Sequence, residues 1–153
     1  MAKMNSGSLG YKVSVFESHI SFISFMEFMG GLVDSASILI QPFINAGHED
    51  HRLIVVGDRV IAAMKRKARG IEFRSNISKG GIGIKFKPTK PMVDLAIRST
   101  KILGLDYAGV DIIEEKEKMM IVEVNANPGL EIEKITGVNI VKEIIQYGIK
   151  KVR

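Results

Sequence analysis

Residues 105–129, LDYAGVDIIEEKEKMMIVEVNANPG, form the stretch that decides the fold. Two apolar runs, at 107–113 and 119–124, flank the charged segment 114–118. Short apolar runs separated by polar turn residues are typical of a β-hairpin. We therefore predict two antiparallel strands joined by a solvated turn.

Three oxygen-bearing side chains of this hairpin are predicted to share one face. A hairpin centred near Glu117 places Asp111 opposite Glu123, with their Cβ atoms about 5 Å apart. Asn125 follows Glu123 at the two-residue spacing that keeps side chains on one face of a strand. The other face then presents a core side made of Val110, Ile112, Val122 and Val124.

Two carboxylates and an amide suit Mg²⁺, which takes few ligands from protein and completes its shell with water and substrate phosphates. A surface hairpin with solvated acids explains the same spacing equally well. The ending NANPG at 125–129 favours a metal site, because it stops the strand and adds a second amide beside the first. We therefore predict Asp111, Glu123 and Asn125 as metal ligands.

Composition limits the class of protein. The chain has 153 residues, enough for one domain or two small lobes, and its 46% apolar and 25% charged content is that of a soluble globular protein. The absence of cysteine excludes disulfides, thiolate metal sites and cysteine nucleophiles, and it fits the cytoplasm. The formal charge of +5 predicts anionic partners, whether nucleotides, acidic substrates or nucleic acid.

A membrane span is not expected. The most apolar segment, ISFISFMEFMGGLV at 20–33, is too short to cross a bilayer and is interrupted by Glu27 and two glycines. It lies in a helix predicted over residues 17–32. The apolar residues of this helix cover more than one face, which predicts burial on several sides or contact with a partner.

The hairpin motifs resemble the metal-binding end of ATP-grasp ligases, and among these the RimK-type amino-acid ligases. The resemblance rests on AGVDI at 108–112 and VEVNANPGLE at 122–131. It implies an α+β fold of antiparallel sheets packed with helices. It also implies ATP-dependent joining of glutamate or a similar amino acid to a carboxyl end of a ribosomal or other protein, or of a small molecule. The implied cofactors are ATP and Mg²⁺, with Mn²⁺ as an alternative.

Residues 1–44 are predicted to form a small lobe. KMNSGSLGYKV at 3–13 resembles the glycine-rich loop that covers the triphosphate, and the strand ILIQPFI at 38–44 resembles the hinge that contacts adenine. A plain hairpin turn is the alternative for the loop, and Lys12 stands where the family often has glycine. The resemblance assigns ATP binding in this lobe to Lys3, Gly7, Ser8, Gly10, Gln41, Pro42, Phe43 and Ile44.

Residues 45–153 are predicted to form the C-terminal lobe with the metal site. RLIVVGDRVIAAMKRK at 52–67 predicts a second hairpin that turns at Gly57 and Asp58. An amphipathic helix is expected over 89–103, with Met92, Ala96, Ile102 and Leu103 among the residues toward the core, and a final helix over 136–151. The resemblance implies that the loop meeting the amino-acid substrate lies at 130–134, although the glycine that the family usually has there is absent.

The most basic stretch is RKARGIEFRSNISK at 66–79. Such a run is typical of a solvated face and sometimes of a nucleic-acid patch, but it lacks aromatic residues for base stacking, which disfavours nucleic acid. It also resembles a RimK-type segment ending in FRSN. The resemblance assigns Arg74 and Arg66 to catalysis, and Arg52 and Asn76 to nucleotide or substrate binding.

The polar segment before this hairpin contains Asp50 between two histidines. The resemblance places Asp50 near the ribose, with a solvated loop aspartate as the alternative. His48 and His51 have no third imidazole at ligand spacing, so we predict loop residues and no zinc site.

Members of the family carry an upstream domain that these residues do not contain. We therefore expect a fragment, a shortened homologue or one part of a split enzyme that binds ATP weakly and turns over poorly or not at all. We expect it to form a homodimer through an unpaired first strand and its phenylalanine-rich helix. A non-catalytic nucleotide-binding module and a basic nucleic-acid binder are the alternative functions.

Overall fold

The computed structural model describes residues 1–4, 13–30, 38–69, 75, 77, 80–116 and 118–152. The chain forms two compact units, Met1–Asn45 and Ala46–Arg153. Both combine antiparallel strands with helical segments, which confirms the predicted α+β class. Within the ranges described, no helix is both long and apolar enough to cross a membrane.

The unit Met1–Asn45 contains a small antiparallel sheet in the order β2-β1-β3. Its elements are β1 (Ala2–Met4), β2 (Val13–Ser14), α1 (His19–Gly30) and β3 (Ile38–Ile40). The strand predicted over 38–44 spans only Ile38–Ile40 in the structure, although the backbone of Gln41 continues the pairing through two hydrogen bonds with Met1, each 3.0 Å long. Helix α1 has no buried side chain, so burial on several sides is wrong, and contact with a partner stays a prediction. The first strand, expected to be unpaired, is paired on both edges, with β2 and β3.

The unit Ala46–Arg153 contains a five-stranded antiparallel sheet in the order β6-β5-β4-β7-β8. Its elements are β4 (Glu49–Val56), β5 (Arg59–Lys67), β6 (Ile82–Lys85), α2 (Lys90–Ile102), β7 (Tyr107–Glu115), β8 (Lys118–Asn125), α3 (Glu131–Thr136) and α4 (Ile140–Val152). Both predicted hairpins are confirmed. The β4–β5 turn uses Gly57 at φ 62°, a left-handed conformation that glycine adopts without steric cost.

Each face of the large sheet buries its own apolar cluster. Leu53 and Val55 of β4 face α2, while Ile54 between them faces α3 and the start of α4. This alternation follows from the two-residue period of a strand. The sheet is therefore covered on both faces, and its central strands β4 and β7 are the best-buried elements.

The helices differ from prediction at two points. The final helix expected over 136–151 begins later, as α4 at Ile140, because the backbone turns left-handed at Gly137 (φ 75°) and ends the preceding helix α3 there. Helix α3 also occupies the segment predicted as a substrate loop. In α2, Met92 and Ala96 are buried as predicted, but Ile102 and Leu103 are exposed.

Candidate active site

Charged side chains collect on one face of the large sheet. Arg52 and Asp50 lie two and four residues before Ile54 on β4, and Arg66 lies two residues after Met64 on β5. Since alternate residues share a face, these charges continue the face that packs against α3. The remaining members come from the β7–β8 hairpin and are Asp111, Glu123 and Asn125.

The predicted pairing of Asp111 with Glu123 is confirmed, and an irregularity in the hairpin produces it. Near the turn, Glu115 pairs with Lys118 and Ile112 pairs with Ile121. The register then shifts by one residue, so that Asp111 pairs with Glu123 instead of Val122. Without this β-bulge, a valine would stand opposite Asp111.

The Asp111 carboxylate is held by two arginines. Arg52 donates from Nε to Oδ1 and from Nη2 to Oδ2, both at 2.7 Å. Arg66 Nη2 lies 2.9 Å from Oδ2 of the same carboxylate. The strand pairing brings Arg52 directly opposite Asp111, so the ion pair is built by the β4–β7 register.

Asp50 is neither a solvated residue nor part of a loop. It lies on β4 opposite Arg66, is 9% exposed, and accepts from Arg66 Nε at 2.7 Å and from Nη2 at 2.5 Å. Both carboxylate oxygens thus face the guanidinium in the two-pronged geometry that makes such pairs strong. Contact of Asp50 with a ribose stays a prediction.

The pKa values of the two most buried members move in opposite directions. Burial by itself would raise the pKa of Asp111, but the hydrogen bonds from Arg52 and the charges of both arginines outweigh it and lower the pKa. Burial would likewise lower the pKa of Arg66, and the carboxylates of Asp111 and Asp50 raise it instead. Both groups are therefore charged at neutral pH.

Exposure increases along this network toward β8. The side chains of Arg66 and Asp111 are 2% and 4% exposed, whereas that of Glu123 is 42% exposed. Asn125 donates from Nδ2 to Glu123 Oε1 at 2.9 Å, which leaves its amide oxygen as an acceptor. Carboxylate and amide oxygens are suitable ligands for Mg²⁺, so the residues present fit such an ion at the open end of the network.

The centre is poor in carboxylates. Over the ranges that the structure describes, no three His, Asp or Glu side chains are grouped closely enough to hold a metal by themselves. Asp111 and Glu123 supply two carboxylates and Asn125 an amide. A magnesium ion held by so few protein groups needs further oxygens, which water or phosphate supplies.

The segment after β8 is placed by a glycine on the neighbouring strand. Gly109 pairs with Asn125, and a Cβ on Gly109 would lie 2.6 Å from the Cβ of Pro128. Only glycine lets the NANPG segment cross the sheet this closely. The predicted end of the strand at Asn125 is confirmed, and the buried Pro128 anchors the segment beyond it.

Several predicted nucleotide-binding residues lie in the unit Met1–Asn45. Lys3 is on β1, between Val13 and Leu39 of its neighbours. The predicted hinge residues follow β3 in irregular backbone, and they are Gln41, Pro42, Phe43 and Ile44. The side-chain Oε1 of Gln41 is buried and has no hydrogen-bond partner among the described residues.

The remaining predicted residues fall outside the described ranges. They are Gly7, Ser8 and Gly10 of the glycine-rich segment, with Arg74 and Asn76 of the basic segment. Their assignments stay predictions.

His51 was predicted as a loop residue, and the structure places it in β4. It is 8% exposed, and its ring lies 4.5 Å from that of Phe86. Burial lowers the pKa of His51, and the charge of Lys65 acts in the same direction. The run EDHR is polar throughout, so no alternation in the sequence indicates that the strand begins before Arg52.

Comparison with protein families identifies the class. The chain matches the family described as RimK-like ATP-grasp domain over residues 1–148. It therefore belongs to that family, and the resemblance drawn from the hairpin motifs is confirmed.

Individual relatives agree with this assignment. The chain is 42% identical over 153 residues, 99% of its length, to "Probable alpha-L-glutamate ligase 1" of Shewanella frigidimarina (strain NCIMB 400), of which it spans 50%. It thus covers about half the length of the curated relatives it matches.

Two solved structures show the fold. The ATP complex of D-alanine–D-alanine ligase from Bacillus anthracis has a TM-score of 0.71 at 20% identity, over 97% of this chain and 52% of that one. The ATP-grasp ligase PsnB, complexed with a phosphomimetic variant of its minimal precursor, Mg and ADP, has a TM-score of 0.60 at 15% identity, over 100% of this chain and 53% of that one. The predicted ATP-grasp fold is confirmed.

Proposed function

We propose that this chain is the metal-bearing part of an ATP-dependent carboxylate–amine ligase that uses Mg²⁺, with Mn²⁺ as a substitute. A substrate carboxylate oxygen attacks the γ-phosphorus of ATP, which gives an acylphosphate and ADP. An amine then attacks the acyl carbon, the amide bond forms, and phosphate and a proton leave. This chemistry needs no nucleophile from the protein, in keeping with a chain that has no cysteine.

The charged network supplies the groups that such a reaction needs. Asp111, Glu123 and Asn125 would hold Mg²⁺, which when bound neutralises charge on the β- and γ-phosphates. Arg52 and Arg66 add positive charge beside that position, where the transferred phosphoryl group needs stabilisation. Arg74 and Asn76 are proposed to act on the same group, and Lys3 and the glycine-rich segment on the rest of the triphosphate.

The observation that carries the proposal is the register of the hairpin. The β-bulge places Glu123 opposite Asp111 and leaves Asn125 beside Glu123 on the same face. Three oxygen donors next to two arginines form a site for a cation and an anion together.

Substrate and partners are proposed more broadly. The relatives named as glutamate ligases support glutamate or a similar acidic amino acid as the amine, and the excess positive charge suits ATP and acidic acceptors. A ribosomal or other protein acceptor, a cytoplasmic location and self-association complete the proposal. The exposed Ile20 and Phe28 of α1 support self-association.

Calorimetric titration of ATP with and without Mg²⁺ tests this function. Wild type should bind ATP more tightly with Mg²⁺, and Glu123→Ala should lose most of that gain because it removes one of two carboxylates. Glu114→Ala is the matched control, since Glu114 is an exposed acid on the same hairpin.

Magnesium dependence that survives Glu123→Ala would contradict the metal site. Mg²⁺-dependent ATP binding without ADP release, measured with carboxylate and amine supplied, would support the non-catalytic alternative.

A further inference from the structure

One guanidinium lies between the two carboxylates proposed to hold the metal. Arg52 Nη2 is 2.7 Å from Asp111 Oδ2 and 3.9 Å from Glu123 Oε1. Its Nε donates to the other oxygen of Asp111 at 2.7 Å. Arg52 therefore covers the oxygens that a cation between these two strands would use.

A cation at this position has to compete with Arg52. A carboxylate that accepts two short hydrogen bonds from one guanidinium has few lone pairs left for a metal. Arg52 is itself only 12% exposed, so it cannot leave Asp111 for water without a large loss of interaction energy. We therefore expect the site to bind a divalent ion weakly when no phosphate is present.

A bound phosphate would relieve the competition between Arg52 and the cation for the Asp111 carboxylate. The planar guanidinium fork fits phosphate oxygens as well as it fits a carboxylate. When a phosphate lies beside the site, Arg52 can exchange its carboxylate partner for phosphate oxygens, and Asp111 becomes available to the ion.

Arg66 is not expected to exchange in this way. It is 2% exposed and is fixed by Asp50, through two hydrogen bonds of 2.7 and 2.5 Å, as well as by Asp111. With Asp50 as its own counterion, Arg66 keeps one positive charge on Asp111 after Arg52 has moved. The two arginines that contact Asp111 thus have different roles.

We propose that Arg52 is a specificity-determining residue of the cation site, which makes the site accept a divalent ion together with phosphate and disfavours the ion alone. The inference rests on the proposed metal site. By linkage, the factor by which the nucleotide tightens metal binding equals the factor by which the metal tightens nucleotide binding.

The first test measures binding of Mn²⁺ alone by the electron paramagnetic resonance signal of the unbound ion. Arg52→Gln should bind Mn²⁺ more tightly than wild type, by about tenfold, a size typical of coupled sites. The matched control is Arg59→Gln, which removes the same charge from the exposed Arg59–Glu143 pair and should leave Mn²⁺ affinity unchanged.

The second test measures ATP affinity by calorimetry with and without Mg²⁺. Arg52→Gln should reduce the gain that Mg²⁺ gives, and Arg59→Gln should not. If Arg52→Gln binds Mn²⁺ no better than wild type while wild type binds ATP with Mg²⁺, the competition is disproved and the proposed function stands. If neither protein binds Mn²⁺, with or without ATP, both proposals fail.

A measurement on wild type avoids any dependence on how the variants fold. Nitrogen-15 spectra of arginine side chains should show the Nε–H of Arg52 shifting when Mg²⁺ and ATP are added together, and not when Mg²⁺ is added alone. Arg66 Nε–H, bound to Asp50, serves as the internal reference. An Arg52 signal that stays unchanged in the presence of both would overturn the proposal.

Discussion

Asp106, just before β7, and Asp111, in the middle of that strand, each bind a cationic side chain, but in opposite surroundings. Asp106 is exposed and accepts from Tyr147 Oη at 2.9 Å and from Lys151 Nζ at 2.5 Å. Asp111 is buried and accepts from two arginines. Contacts of similar length do not contribute equally to stability, because water screens the charges around Asp106 and is excluded from those around Asp111.

The two networks also connect different parts of the fold. Asp106 joins α4 to the beginning of β7 on the surface, and hydrogen bonds from Lys151 and Tyr147 lower its pKa. Asp111 joins β4, β5 and β7 beneath the candidate site. We therefore expect the surface network to be nearly dispensable, and the buried one to be required for both stability and function.

The largest effect should come from breaking the buried network. Arg66→Met removes the guanidinium that binds Asp50 and leaves Asp111 with Arg52. Removing one partner of a buried pair typically costs about 3–5 kcal/mol in the free energy of unfolding. Arg59→Met, on the same strand at an exposed ion pair, should cost less than about 1 kcal/mol. Urea unfolding measures both, and equal losses would show that the buried network has no special weight.

The next largest effect should be a difference between the two aspartates in how the free energy of unfolding depends on pH. The folded-state pKa of Asp111 lies below its ordinary value of 3.8, so its stabilisation is complete above that pH. As the pH falls from 3.8 toward the folded-state pKa, the unfolded chain takes up the proton first, and the free energy of unfolding decreases.

Urea midpoints measured between pH 5 and pH 2.5 test this dependence. Asp111→Asn should flatten the acid limb of the curve, whereas Asp106→Asn should leave it close to wild type. If Asp111→Asn leaves the decrease in urea midpoint at low pH unchanged, groups other than Asp111 cause that pH dependence.

The smallest effect should come from the surface network. Lys151→Gln removes the shortest contact of Asp106. Because the side chains of Lys151 and Asp106 are both open to solvent, the unfolding midpoint should change little. The change should shrink further in 1 M salt, which shortens the screening distance. A large loss that does not depend on salt would mean that this network is as important as the buried one.

The sequence predicted the large sheet better than its helices. Both hairpins were predictable because apolar runs of strand length end at turn residues, including Gly57. The last helix is confirmed from Ile140 onward, but its predicted start at Thr136 is wrong, because α3 ends there and the backbone turns left-handed at Gly137. One glycine is a weak signal for such a break.

Some residues of the candidate site could likewise be predicted from the sequence, and others could not. Asp111, Glu123 and Asn125 could be chosen from spacing, because the two-residue period of a strand determines which side chains share a face. The loop predicted for His51, and weighed as the alternative for Asp50, is wrong, since polar residues at the start of a buried strand resemble the end of a turn.

By itself, the amino-acid sequence determined the class of fold and the three oxygen donors, because both depend on periodicity within short segments. Only the tertiary structure decided that Asp111 is shared by Arg52 and Arg66, and that Asp50 holds Arg66 in place. These contacts join three strands of the sheet, and a register shift of one residue between two of them would turn one partner's side chain to the opposite face. Such long-range registers depend on the packing of the whole sheet, which no local pattern contains.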